Sequence, residues 1–317
     1  MKLALDTQKP VFMFSGQGSQ KPAMGIDLMV VPEVVEAFSC ASEAFGFDVA
    51  QLVAQSSPEE LAQTRNAQAA ITALSTGLSH ALATRGIEPS AVLGFSLGQI
   101  SALFASGMLS MPATFALAAK RAELMEWASA EHPGAMCALL GADAREASEL
   151  CSTCAEGEVL VVANYNCPGQ IVISGTKGAI ARAQEAWASQ KKRAALLATA
   201  GAFHSPLMQD AADEFATYLS TLDCSAANIP LICNVDARPL ERADVREHLV
   251  RHLVEPVRFD ESVLMLAEAG ATEFIEVGFG GVLMGLVKRI DKNLTRSLVA
   301  DASSFETLVS RWKERDE

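Results

Sequence analysis

The amino-acid sequence predicts an α/β fold with a parallel-sheet core and a smaller inserted unit. Three observations lead there. Apolar runs of strand length, at residues 10–14, 91–93, 230–235 and 273–278, are separated by much longer helix-forming stretches. One of these runs leads directly into a serine flanked by glycines, Gly94-Phe95-Ser96-Leu97-Gly98, and a helix-forming run follows it. Between residues 135 and 199 the pattern changes to strand, helix, strand, strand, helix, strand, the order of a ferredoxin-like unit.

In chain order, the run at 10–14 reads as a buried strand. It stops at Ser15-Gly16-Gln17-Gly18-Ser19-Gln20, a loop without the Lys-Ser/Thr of a phosphate-binding loop or the third glycine of a dinucleotide fingerprint. Residues 33–85 read as helices with polar breaks. The small apolar stretch 68–78 suits a helix buried beside a sheet. The strand at 91–93 then enters a nucleophile elbow, and glycine on both sides of Ser96 removes side chains that would clash in so sharp a turn. An elbow on a parallel sheet makes the large domain α/β-hydrolase-like. The helix after Ser96 runs to Ala105 and ends at Gly107.

Residues 113–130 form an amphipathic helix on which Leu117, Arg121 and Met125 share a face. An arginine there is either a snorkelling surface residue or a group aimed into a pocket to hold an anion. His132-Pro133-Gly134 marks a boundary. The expected organisation is a catalytic domain of residues 1–130 and 200–317, with 131–199 as the insertion. Within the insertion, strands are expected at 136–140, 159–163, 170–174 and 194–198, and helices at 143–154 and 177–190. Strands at 230–235 and 273–278 return to the large sheet, and Gly280-Gly281-Val282-Leu283 opens a last core helix.

Composition excludes several functions. No run of eighteen apolar residues is present, so no membrane-spanning helix is expected. The N-terminal stretch is interrupted by Asp6 and Lys9, unlike a signal peptide, so a cytoplasmic protein is expected. The net charge of -13 argues against nucleic-acid binding. The basic runs Lys191-Lys192-Arg193 and Lys288-Arg289 leave room for an acidic partner. The seven cysteines form no disulfide framework. Cys151 and Cys154 have Cys-x-x-Cys spacing but lack further ligands, so no metal site is expected.

Ser96 needs a base. Among the five histidines, His204 has the best setting, in the apolar loop Ala202-Phe203-His204-Ser205-Pro206. His248 lies on a charged helix face, and His252 precedes Glu255-Pro256.

With these stretches in view, the chain resembles the malonyl-CoA:acyl carrier protein transacylases and the acyltransferase domains of polyketide synthases. The resemblance is carried by residues 14–20, Gly94-Phe95-Ser96-Leu97-Gly98-Gln99, Arg121, Asn166-Cys167-Pro168-Gly169-Gln170, Ala202-Phe203-His204-Ser205 and the stretch Val277–Leu283, in that order along nearly the whole chain. It implies that Ser96 attacks a malonyl thioester and that His204 is the general base. The backbone N–H groups of Gln17 and Leu97 would form the oxyanion hole, and Arg121 would bind the malonyl carboxylate. Phe203 resembles the residue of malonyl-selective members.

Three positions depart from the family pattern. Phe95 stands where histidine is common, Gln99 where glutamate is common, and His252 near the usual glutamine, where a backbone carbonyl orients the base. His252 is also counted as substrate-binding. The resemblance further implies malonyl-CoA as substrate, no tightly bound cofactor, acyl carrier protein as partner and a place in fatty acid biosynthesis. A polyketide-pathway acyltransferase, an esterase or thioesterase, and a non-catalytic carrier-binding subunit are the alternatives. A hydrolase would not need Arg121, and a binding subunit would not need Ser96 and His204 together.

Overall fold

The computed structural model describes residues 3–316. β1 (Val11–Phe14) is completely buried and forms the middle of a parallel sheet. The helices α1 (Pro32–Phe45), α2 (Val49–Gln55), α3 (Pro58–Leu61) and α4 (Thr64–Ala83) lead to β2 (Ala91–Gly94). α4 is buried along almost its whole length, as its small side chains foretell. At Gly77 an added Cβ would lie 2.8 Å from the Val34 Cα, so the glycine lets α1 pack directly on α4. After β2 come α5 (Gly98–Ala105) and α6 (Met111–Glu131). α6 starts where the Ser110 side chain accepts a bond from the Ala113 N–H.

The chain then enters the inserted unit, through β3 (Gly134–Leu140), α7 (Ala144–Cys154), β4 (Leu160–Cys167), β5 (Gln170–Thr176), α8 (Lys177–Ser189) and β6 (Arg193–Leu196). Its strands pair antiparallel in the order β6-β3-β5-β4, the ferredoxin-like arrangement. α7 opens with a capping box between Asp143 and Glu146. One face of this sheet packs with both helices around Leu139, Ile173 and Trp187. The other face, including Met136, Ala138 and Val172, joins the core of the large domain.

The return segment contains α9 (Gln209–Leu219), β7 (Leu231–Ile232), α10 (Val245–Val254), β8 (Val257–Arg258) and α11 (Phe259–Glu268). It ends with β9 (Glu273–Val277), α12 (Val282–Ile290), β10 (Thr295–Val299) and α13 (Ala302–Asp316). The large sheet has the order β10-β9-β1-β2-β7, with every pairing parallel.

Three features differ from the sequence reading. The strand expected at 230–235 is only Leu231–Ile232, because the chain turns back at Cys233. The helix opening near Val282 is not the last, because β10 and α13 follow it. β8 adds a fifth strand to the inserted sheet, parallel to β4 at Asn164 and Tyr165. Among the described residues, no helix is long and apolar enough to cross a membrane.

Candidate active site

The strand order reverses at β1. From it the chain builds first toward β2 and β7, and later toward β9 and β10 on the other side. In such sheets the crevice at the carboxyl ends of the strands, where the order switches, is the natural binding place. β1 and β2 end there side by side, with Phe14 level with Gly94.

The turn after β2 is tight. A Cβ on Gly94 would lie 2.0 Å from the Gln99 nitrogen, and one on Gly98 would lie 2.0 Å from the Phe14 carbonyl oxygen. Ser96 at the apex has φ of 51°, a strained value for a side-chain-bearing residue. The surroundings hold it in place. Ser96 N–H donates to Asn234 Oδ1 at 2.8 Å, and Asn234 Nδ2 donates to the Gly94 carbonyl at 2.5 Å. Asn234 is fully buried just after β7, so the neighbouring strand clamps both sides of the elbow.

His204 reaches the same point from the segment before α9. Its Nε2 lies 2.8 Å from Ser96 Oγ, and its Nδ1 lies 3.1 Å from the Glu255 carbonyl oxygen. A carbonyl only accepts, so Nδ1 carries the proton and Nε2 offers its lone pair to the serine hydroxyl. The His204 backbone is itself strained, with φ of 56°, and its N–H is tied to the Leu253 carbonyl at 3.1 Å. Burial, followed by the charge of Arg121, depresses the imidazole to about 4, against the opposing effect of the Glu255 carbonyl. The ring is therefore neutral at physiological pH. The carbonyl in hydrogen-bond contact belongs to Glu255, three residues beyond His252, and the backbone at His252, the position the resemblance implied, acts on the ring in the same direction.

Arg121 is not a snorkelling surface residue. It is 1% exposed, and α6 aims it at the serine. Nη2 donates to Ser96 Oγ at 3.3 Å and Nη1 to Gln68 Oε1 of α4 at 2.9 Å, while Nε has no partner. Among the described residues no carboxylate pairs with it. Burial lowers its pKa to about 10, which still leaves a full positive charge near neutrality.

The loop after β1 brings Gln17 to this edge of the sheet. Ser15 Oγ donates to Glu276 Oε1 at 2.9 Å, and the other oxygen of that carboxylate accepts from the Met284 N–H in the first turn of α12, also at 2.9 Å. A buried glutamate thus staples the loop to a helix N-terminus. Among the described residues, the Gln17 and Leu97 amides find no protein acceptor. Phe203 is buried beside His204. His252 lies behind the His204 ring, 5.6 Å away edge to face and 1% exposed, and its Nε2 is 2.9 Å from Asn234 Oδ1. Asn234 Oδ1 can only accept, so His252 donates from Nε2, and burial keeps this ring neutral.

Residues 11–316 match the model of the acyl transferase domain. The chain belongs to the acyl transferase domain family. It is 39% identical over 313 residues to the malonyl CoA-acyl carrier protein transacylase of Bacillus subtilis, covering 98% of this chain and 99% of that one. It is 38% identical over 298 residues to the Escherichia coli K12 protein of the same name, with 93% and 96% covered. A solved malonyl-transacylase in complex with a type II polyketide synthase acyl-carrier protein superposes with a TM-score of 0.92. The two are 35% identical, with 96% of this chain and 99% of that one covered.

Against the pattern of the acyl transferase family, Phe95 packs edge to face on Phe259, 5.5 Å away, so it extends the core below the elbow. Gln99 is buried on α5. The sequence reading missed three contributors: Asn234, Gln68 and the Glu255 carbonyl. Asn234 lies in a run of strand character and Gln68 in a small, apolar helix. A polar side chain inside each apolar run was the only available signal.

Proposed function

We propose that this acyltransferase moves a malonyl group from malonyl-CoA to the phosphopantetheine thiol of an acyl carrier protein, through a malonyl ester on Ser96, in fatty acid biosynthesis. The observation that carries this reading is Arg121: a buried cation without a protein carboxylate, 3.3 Å from the Ser96 hydroxyl. Its guanidinium suits the free carboxylate of a malonyl group, and an esterase for uncharged acyl groups has no use for it.

In the first half-reaction, Ser96 Oγ attacks the thioester carbonyl as its proton passes to His204 Nε2. The amides of Gln17 and Leu97 stabilise the developing oxyanion. Collapse expels the CoA thiolate, and the His204 imidazolium protonates it. In the second half-reaction, His204 takes the proton of the carrier thiol. The resulting thiolate attacks the malonyl ester, and Ser96 leaves with the proton returned by His204. Asn234 positions Ser96 through its amide, and His252 acts on the same residue through Asn234. Phe203 lines the acyl site.

We assign catalysis to residues 1–130 and 200–317, and treat 131–199 as the inserted domain. No tightly bound cofactor takes part in this scheme. The seven unpaired cysteines suit a reducing, cytoplasmic setting.

Intact-mass measurement tests the reading. Incubation with malonyl-CoA should add one malonyl group, and holo-acyl carrier protein should remove it and become malonylated itself. Ser96→Ala should take up no malonyl group. Loss of the adduct to water in the absence of carrier, at the rate seen with carrier, would make the protein a hydrolase.

A further inference from the structure

Away from the acyl-transfer chemistry, the turn after β7 gathers three metal-ligating side chains. Cys233 closes the turn by backbone bonds, its N–H to the Arg238 carbonyl at 2.8 Å and its carbonyl to the Ala237 N–H at 3.0 Å. Cys233 Sγ, a carboxylate oxygen of Asp236 and a ring nitrogen of His248 on α10 all lie within 4.8 Å of one another. Cys233 is buried, while Asp236 and His248 are partly exposed, so the cluster is open to solvent on one side. Burial pushes the Cys233 thiol up to about 12, against the smaller opposing effect of the Val235 and Asp236 backbone N–H groups, so the sulfur is a neutral thiol until a cation displaces its proton.

The hydrogen bonds make the cluster unusual. His248 Nδ1 lies 2.9 Å from the Asp244 carbonyl oxygen, which only accepts, so Nδ1 carries the proton. Nε2 then presents a lone pair, and it faces Asp236 Oδ2 at 3.1 Å, a second acceptor. Two lone pairs at that distance require a cation: a proton, or a metal ion to which the adjacent sulfur supplies a third bond. Arg251, whose charge reaches Cys233 and Asp236, is itself bound by Glu255 at 2.7 and 3.0 Å and by Glu247 at 3.4 Å.

We propose that Cys233, Asp236 and His248 form a binding site for a divalent transition-metal ion of the zinc type. One sulfur, one nitrogen and one oxygen suit a borderline-soft ion better than magnesium or calcium. Ligand atoms around tetrahedral zinc stand about 3.3–3.8 Å apart. The 3.1 Å contact between His248 and Asp236 is just short of that span and every separation in the cluster is within 4.8 Å, so small side-chain rotations close the site. The bond from Nδ1–H to a backbone carbonyl is the outer contact that metal-bound histidines use to fix their tautomer. Occupancy would tie β7 to α10 across the turn that carries Asn234, stiffening the support of the Ser96 elbow.

Cobalt titration of the full-length, chelator-treated protein tests the site, with Co²⁺ alone as the probe. One equivalent should bind with a thiolate-to-cobalt charge-transfer absorption, and zinc should displace it. Cys233→Ser should abolish that absorption. Asp236→Asn and His248→Ala, both at partly exposed positions, should each weaken cobalt binding at least tenfold in protein shown to be folded by circular dichroism. Cys151→Ser should leave it unchanged. Absence of the charge-transfer band in the parent protein, its survival in His248→Ala and Asp236→Asn, or its loss in Cys151→Ser would overturn the proposal. In the first case the His248–Asp236 contact is a proton-bridged ion pair only.

Discussion

The two sheets keep their charges and their strain in different places. Around the large parallel sheet the protein buries Arg121, His204, His252 and Glu276. Two of its strained non-glycine residues, Ser96 and His204, face each other across a single hydrogen bond. Among the described residues, the inserted antiparallel unit buries no histidine and no charged side chain. Its strained non-glycine residues, Glu156 and Lys191, lie in exposed turns. Strain and buried charge persist only where surrounding structure over-determines them. The parallel sheet supplies that at its carboxyl edge, where elements distant in sequence converge. The antiparallel unit is built from neighbours and has no such crossing point.

The largest expected effect comes from removing the buried cation. Arg121→Ala should lower malonyl loading of Ser96 by roughly a hundredfold, since losing one partner of a buried charge pair costs about 2–5 kcal/mol. Acetyl loading should fall far less, and Arg121→Lys should lie between. The ratio of malonyl to acetyl loading reads this directly, and an unchanged ratio in Arg121→Ala would move the carboxylate site elsewhere.

Next comes the clamp on the elbow. Asn234→Ala leaves the Ser96 amide without its acceptor, and kcat should drop by roughly tenfold with little change in KM. His252→Gln should keep most of the rate, because an amide N–H can still reach Asn234 Oδ1. His252→Leu should behave like Asn234→Ala. Equal rates for the glutamine and leucine variants would strip His252 of any positioning role.

A smaller effect concerns pH. In the proposed mechanism His204 is the neutral base, and its pKa is depressed to about 4. Acylation should therefore be flat near neutrality and fall only as pH drops through about 4. The same depression links to stability. An unfolded histidine takes up its proton near 6.5, so stability declines as pH falls from there toward about 4. Removing the second cause, by Arg121→Gln, should move the acid limb of kcat/KM upward. An acid limb near 6.5 in the parent protein would mean that burial does not govern this base.

The smallest effect should come from the inserted unit. Asp143→Ala removes the cap of α7 and should cost about 1 kcal/mol of stability, measured by denaturant unfolding, while malonyl loading stays within twofold. A large loss of loading would erase the contrast between the two regions. The basic runs call for a gentler probe than reversing whole clusters. Lys192 already binds Glu146 at 2.6 Å and stacks on Trp187, so its reversal would disturb folding as well as docking.

The fold was legible where local pattern coincides with burial. Apolar runs became β1, β2 and β9, and the order of elements from residue 134 to 196 gave the ferredoxin-like unit. β10 is not legible in the sequence because Thr295-Arg296-Ser297-Leu298-Val299 is a half-exposed edge strand without an apolar run. β8 is two residues long and exists only through its pairing with β4.

By itself the sequence pointed to Ser96, Arg121 and His204 and to the turn that carries the serine. A serine between two glycines can take the elbow conformation whatever lies around it, because the clash those glycines avoid is local. Tertiary structure alone decided that Arg121 points inward, that Asn234 meets Ser96 from 138 positions along the chain, and that the Glu255 carbonyl orients His204. Every residue owns a carbonyl and an N–H, so composition cannot say which one will face the base. That choice is made when separate strands and helices pack and each buried polar group must find a partner.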